Sequence, residues 1–270
     1  MGIVTLTTNL GYRDPYLAIV KAGLISSGVP MQILDLSCEV KDNNLSDAAF
    51  VLNNALPHFP SDTIHLVAIK FLADRSQHKG HSADNSRYLI ARHRNQFIIS
   101  PDSGLFTLLD ANFNGEVYQL YYEGTAAHHF FLKDIFVPAA IHLLKKNPVE
   151  DIASPTTDYY RSFTFNSYLD KNILRGKGVY VDDFGNIITN ITREQFSEVV
   201  GSKNFTVTLP GLRLSKIYNT YDEVKFGSPL LLFNSVGRLE VAINGQSAYD
   251  MLHPHDIGRQ FDFNILVEIA

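Results

Sequence analysis

The sequence predicts two unlike domains: an α/β N-terminal domain with a parallel-type sheet and helices, and an all-β C-terminal barrel. Three observations predict this. Up to about residue 146, short β-rich apolar runs alternate with stretches of helical periodicity, as a helix-covered parallel sheet requires. From residue 176 to 270, β-rich runs follow one another with only turns between, the pattern of an antiparallel barrel or sandwich. Between them, residues 147–175 carry Pro148 and Pro155 among mixed polar residues with little periodicity, and read as a linker.

The elements follow in order. Gly2 to Thr8 is an apolar run suited to a buried strand, ending at Asn9. Leu17, Val20, Leu24 and Ile25 stand at helical spacing, with Pro15 in the first turn and Asp14 as the expected N-cap. Met31 to Leu36 is a second strand, Leu45 to Ala55 a second helix and Thr63 to Ile69 a third strand. In such βαβαβ sheets ligands bind outside the carboxyl ends of the strands. Asn9, Asp14 and the residues around Lys70 fall at those ends. Residues 72–87 form a polar excursion loop, in which His78 and His81 read as solvated side chains because no carboxylate or cysteine completes a metal set. Tyr88 to Ala91 and Gln96 to Ile99 read as a hairpin, Leu105 to Leu109 as the start of a helix, and Glu116 to Tyr122 as a strand. Ile135 to Lys145 reads as a helix capped by Asp134. The second half offers strands at 179–181, 187–191, 205–209, 230–233, 238–243 and 261–269.

Composition narrows the function classes. At 270 residues and 45% hydrophobic content the chain can bury a substantial core. A net charge of −5 gives no electrostatic reason to bind nucleic acid or an anionic membrane. The single cysteine, Cys38, cannot form an internal disulfide, which agrees with a reducing, cytoplasmic setting. No apolar run approaches the roughly 20 residues of a membrane span, and the N-terminus reads as a strand rather than a signal peptide.

The densest chemistry lies in Asp182-Asp183-Phe184-Gly185-Asn186, flanked by Val179–Val181 and Ile187–Ile191. A β-hairpin turn accounts for the glycine and the Asx residues. Two carboxylates, a carboxamide and an aromatic ring within five residues can also hold an ammonium group and pack against a ring system.

These residues, together with Thr5 to Tyr16, Pro101-Asp102-Ser103-Gly104-Leu105, Lys133 to Ala140 and Asn234 to Ala242, resemble the S-adenosylmethionine hydroxide adenosyltransferase family. That family includes adenosine-forming S-adenosylmethionine hydrolases and is related to fluorinating and chlorinating enzymes. The resemblance runs over nearly the whole chain. It implies an α/β domain followed by a barrel, and a homotrimer with active sites between subunits. Its ligand is a small nucleoside, S-adenosyl-L-methionine serving as substrate, with no further cofactor and no metal. It also implies that water displaces methionine from C5′ of the ribose. The sulfonium is a good leaving group, so the protein's work is positioning and desolvating the nucleophile.

Residue by residue, the resemblance places Asn9 where the family holds the ribose hydroxyls with Asp. Asp14 keeps its family identity. Asp182 and Asn186 match residues contacting the methionine ammonium and the nucleoside. Phe184 matches an aromatic near the adenine, Tyr221 stands where a second is expected, and Ser235 matches a residue at the amino-acid end. Ordinary core packing is the alternative reading of Phe184 and Tyr221. The Asp-Arg-His set that orients water is absent: its positions hold Lys70, Gln77 and Phe131, with Arg75, His128 and His129 nearby in sequence. A charged Lys70 about 4 Å from a sulfonium would repel it by on the order of 4 kcal/mol at an effective dielectric of about 20. Three functions follow: a hydrolase yielding adenosine and L-methionine, a non-catalytic nucleoside or S-adenosylmethionine binder, or the same scaffold with a changed ligand. A dinucleotide-binding dehydrogenase is disfavoured, since no Gly-x-Gly-x-x-Gly follows the first strand.

Overall fold

Strand β1 (Gly2–Thr8) is an interior strand of its sheet, and Val4 to Thr8 are all buried. This explains its unbroken apolar and threonine run: a strand covered on both faces has no polar side to alternate with. Parallel strands flank it, β2 (Met31–Ser37) on one side and β3 (Ile64–Ala68) on the other. The computed structural model describes residues 1–40, 44–69, 87–122, 130–162, 165–252 and 263–270. They fall into two compact units, Met1–Thr164 and Phe165–Ala270.

In the first unit the described residues form a seven-stranded sheet. Its order is β2-β1-β3-β5-β4-β6-β7, with β4 (Tyr88–His93), β5 (Gln96–Pro101), β6 (Glu116–Leu120) and β7 (Ala153–Pro155). The pairs of β1 with β2, β1 with β3, and β3 with β5 are parallel; β4, β6 and β7 join antiparallel, so the sheet is mixed. Helices α1 (Tyr16–Ile25) and α4 (Val137–Leu144) cover one face, where Leu17, Val20, Leu24 and Ala140 pack with Leu6, Ile64 and Leu66. Helices α2 (Leu45–Ala55) and α3 (Leu105–Leu109) cover the other, where Ala48, Leu52 and Phe106 meet Val67, Ile69 and Leu89. Each fully buried Val, Leu, Ile or Phe side chain among these contributes roughly 1.5–3 kcal/mol of transfer free energy, the alanines less.

The second unit is a curled half-barrel. The order of its described strands is β12-β11-β16-β9-β10-β15-β14-β13, with β8 (Tyr168–Asp170) pairing β9 (Ile173–Val181). The others are β10 (Ile187–Thr192), β11 (Phe205–Leu209), β12 (Leu212–Leu214), β13 (Ile217–Tyr218), β14 (Pro229–Phe233), β15 (Arg238–Ile243) and β16 (Asn264–Ile269). Its core gathers Ile187, Leu231, Leu239, Val241, Phe263 and Val267. Two short helices, α5 (Arg193–Val200) and α6 (Ala248–Leu252), interrupt what the sequence reads as all-β. No helix among the described residues is long and apolar enough to cross a membrane.

Three local expectations are corrected. Asp14 does not cap α1: Pro15, already helical at φ −74° and ψ −8°, holds the cap position, without a side-chain cap bond. Asp134 does not cap a helix at 135. It sits inside a π-helical turn, Leu132–Phe136, that feeds α4, and its carboxylate lies 3.2 Å from Lys133 Nζ. The stretch 147–175 carries a short 3-10 turn (Val149–Asp151) and β7, which adds to the first sheet, then β8 and the start of β9.

Candidate functional site

The turn from β9 to β10 is built on Asp182. Its Oδ1 accepts the backbone N–H groups of Phe184 at 3.0 Å and Asn186 at 2.8 Å. Its Oδ2 accepts the Asn186 carboxamide N–H at 3.0 Å. The Asp182 N–H donates to Asn186 O, and Gly185 N–H returns to Asp182 O. One carboxylate thus spends three acceptor sites holding the loop closed, and these charge-assisted bonds are the stronger kind. Gly185 takes φ +80°, and a Cβ there would lie 2.1 Å from Ser247 Oγ, so the position has room only for hydrogen. The loop presents Phe184 to solvent, 80% exposed, and buries Asn186. Core packing therefore does not account for Phe184.

The turn from β14 to β15 repeats this design. Asn234 Oδ1 accepts the N–H groups of Val236 at 3.2 Å and Arg238 at 3.0 Å, and Gly237 N–H donates to Asn234 O. Ser235 rides on this turn, exposed. Both hairpins use an Asx residue to accept from the residues two and four further on, leaving the side chains between free to face outward.

Between these turns lies Glu240, in β15, which the sequence reading assigned no role. Register places Glu240 beside Ile188 of β10 and Leu232 of β14. Leu239 and Val241 face the core, so Glu240 projects from the opposite face of the sheet, yet it is only 2% exposed. Tyr221 donates its hydroxyl to Glu240 Oε1 at 2.6 Å. Burial pushes the Glu240 carboxyl pKa up, the charge of Asp182 adds to the rise, and hydrogen bonds from Tyr221 and Asn234 pull it back. The Tyr221 hydroxyl is raised too, by burial first, then by Glu240 and Asp182. Asp182, Asn186, Tyr221 and the 234–235 turn are thus brought together around one buried acid. The sequence could have hinted at it: a lone carboxylate inside Leu239-Glu240-Val241-Ala242 is out of place unless something binds it.

In the first unit, Asn9 follows β1 and is half-buried. Neighbours β2 and β3 leave β1 on opposite sides, so Asn9 stands at the topological switch of the sheet, the place where open α/β sheets bind ligands. The loop beyond it is pinned from behind: Gly11 N–H donates to Cys38 O, and Val40 N–H to Thr8 O. Tyr12, largely exposed, has its hydroxyl pKa pushed up to about 12, chiefly by its hydrogen bond with buried Cys38. Asp14 is exposed and has no side-chain partner among the described residues.

Of the three positions where the resemblance expects a water-orienting set, Lys70 and Gln77 lie outside the described residues, as do Arg75, His78, His81, His128 and His129. Phe131 is described, and it is a packing residue. Its ring stacks on Tyr88 at 5.5 Å and meets Phe136 edge-on at 5.2 Å. The Pro101–Leu105 segment is also architectural. Asp102 Oδ1 accepts Tyr160 N–H at 2.7 Å, and Asp102 lies 3.6 Å from Arg87. Gly104, at φ +89°, allows Ser162 to lie where a Cβ would be 2.7 Å from it. Among the described residues no group of three His, Cys, Asp or Glu is placed to hold a metal.

Comparison with known proteins bears on this arrangement. Residues 4–153 match the model of the SAM hydroxide adenosyltransferase N-terminal domain, and residues 176–256 that of its C-terminal domain. An (R)-S-adenosyl-L-methionine hydrolase from Thermus thermophilus is 28% identical, covering 92% of this chain and 94% of its own. One from Methanocaldococcus jannaschii is 22% identical over 90% and 88%. An uncharacterized conserved protein from Thermotoga maritima shares the fold with a TM-score of 0.80 at 24% identity, over 98% and 99% of the two chains. A conserved hypothetical protein from Thermus thermophilus, also of solved structure, aligns with a TM-score of 0.73 and 26% identity, over 100% of both chains. Both domain models match in the order that the motifs stand here, and the chain belongs to the SAM hydroxide adenosyltransferase family.

Proposed function

We propose that this protein binds S-adenosyl-L-methionine and hydrolyses it to adenosine and L-methionine. The observation that supports this reading best is the second unit's cluster: Asp182 and Asn186 locked in one turn, Tyr221 held on Glu240, and Ser235 and Phe184 presented outward. An acidic turn suits an ammonium group, and half-exposed or exposed rings suit a purine face. Two relatives named as (R)-S-adenosyl-L-methionine hydrolases support the same chemistry. In this reading Asn9 and Asp14 address the ribose, and the protein assembles as a homotrimer. Water attacks C5′, the C5′–S bond breaks, methionine leaves as a neutral thioether, and the water's proton passes to solvent.

Phe131 favours a second reading, a binder without turnover. A ring packed between Tyr88 and Phe136 neither donates nor accepts a proton, so this position cannot orient a water molecule. Isothermal titration with S-adenosylmethionine separates the two. Sustained heat with adenosine and methionine accumulating above the protein-free rate is expected of the hydrolase. A saturable isotherm that returns to baseline, with no adenosine formed, rejects hydrolysis and establishes the binder. No heat with S-adenosylmethionine or adenosine rejects both.

A further inference from the structure

Glu240 is expensive for the fold. A buried carboxylate needs a cation or several donors to offset its desolvation, and among the described residues it has no cation partner. Its donors are the hydroxyl of Tyr221 and the side chain of Asn234. Tyr221 in turn depends on it. The ring is 43% exposed, and no aromatic ring among the described residues packs on it. Its backbone is tied down separately: Tyr221 opens a single 3-10 turn whose capping box has Glu223 Oε1 accepting the N–H groups of Asn219 at 2.7 Å and Thr220 at 3.1 Å. The capping box fixes where the side chain starts, and the bond to Glu240 fixes where the ring ends.

We propose that Glu240 is a positioning residue, whose buried carboxylate holds the ring of Tyr221 in one orientation beside the 182–186 turn as a preformed wall of the nucleoside site. The proposal rests on the nucleoside-binding reading above for its ligand, but the ring restraint exists without ligand. A two-torsion aromatic side chain left free would have to be ordered on binding; held in place, it meets a base with that cost already met. The bond is short, 2.6 Å between the oxygens, and gives the hydroxyl one defined acceptor. The charge of Asp182 raises the pKa of both groups, so charge at that turn and the Tyr221–Glu240 bond are coupled.

The test has two arms. In the ligand-free protein, 13C-labelled tyrosine NMR, with the Tyr221 signal identified among 13 tyrosines by its loss in Y221F, reports ring order and hydroxyl-proton exchange. The expected result is a restrained ring and a slowly exchanging hydroxyl in the wild type and in E240Q, which keeps an acceptor, and a mobile ring with fast exchange in E240L. A Tyr221 signal unchanged in E240L overturns the proposal. In the second arm, adenosine binding is expected to weaken about tenfold in Y221F and in E240L, by no more in the double variant, and by less in E240Q. Additive losses in the double variant overturn the proposal. Should E240L fail to fold, Y221F, altered at a half-exposed side chain, and E240Q carry the binding arm: an affinity unchanged in Y221F is then the overturning result. A wild type that binds no adenosine, with the ring restrained as expected, counts against the nucleoside reading alone and leaves the Glu240–Tyr221 restraint standing.

Discussion

Gly185 sits where two demands meet, a left-handed backbone and a neighbour that leaves no room for a methyl group. Gly185→Ala must move Ser247 or reopen the Asp182 turn, and it strains φ besides. The expected cost is about 2 kcal/mol or more in urea unfolding of the full chain, with weaker S-adenosylmethionine binding. A variant within about 0.5 kcal/mol of the wild type would show that the loop tolerates the change. The residue scale is also where the sequence was most and least informative. The hairpin turn at 182–186 was legible because Asx and Gly chemistry is local. That Asp182 is consumed by three loop bonds was not, since a carboxylate bonding its own turn and one facing a ligand have the same sequence. Glu240 escaped for a different reason: its partner Tyr221 is 19 residues away in the chain, and nothing periodic links them.

Helix α5 shows what limits element-scale reading. Only Phe196 and Val200 of its eight residues are buried, one turn apart, and it follows β10 without a loop. A pair of apolar residues is too short a record for a period to emerge, so the segment merged with the strands around it. Its start signal was present, however. Thr192 is the N-cap, its hydroxyl accepting Gln195 N–H at 3.1 Å. Thr192→Ala should lower stability by about 1 kcal/mol, with faster amide exchange at Gln195. Exchange unchanged at Gln195 would mean that packing of Phe196, not the cap, holds this helix. Strands β1 and β3 and helices α1 and α2 were legible because each buries several apolar residues, and β2, with none fully buried, from its apolar run alone; α1 fell short only at its cap. There Pro15 at a helical φ took the place expected of Asp14, because proline enters a helix at no cost where no donor is needed. The mixed character of the first sheet followed from the β4–β5 hairpin, legible from the apolar runs at 88–91 and 96–99, whose turn holds Arg94 and Asn95 at positive φ.

The two units keep separate cores, and each buries a titratable group whose pKa is displaced, with opposite consequences for pH. In the first unit His65 is fully buried, its Nδ1 2.7 Å from Thr5 Oγ1 and its Nε2 3.3 Å from Gln96 Oε1, while the Gln96 amide is committed to the carbonyls of Leu56, Phe59 and Pro60. Burial lowers its pKa from 6.5 to about 4. The unfolded chain therefore binds a proton that the folded unit refuses. Stability from this group is complete above the unfolded value and is lost as pH falls from 6.5 towards 4, at roughly 1.4 kcal/mol per unit within that window. Glu240 in the second unit has its pKa raised, so the folded unit holds a proton that the unfolded chain releases. Its contribution is complete below the unfolded carboxyl value and is lost as pH rises through the folded one. Calorimetry of the full chain between pH 7.5 and 5 should therefore move the first unit's transition to lower temperature through His65, while Glu240 opposes acid loss in the second only as pH falls through its raised folded value. His65→Gln should remove the first shift without altering the second transition, and Glu240→Gln the reverse. Two transitions that fall together with acid, and that neither variant changes, would mean that exposed carboxylates rather than these two buried groups set the pH dependence of the molecule.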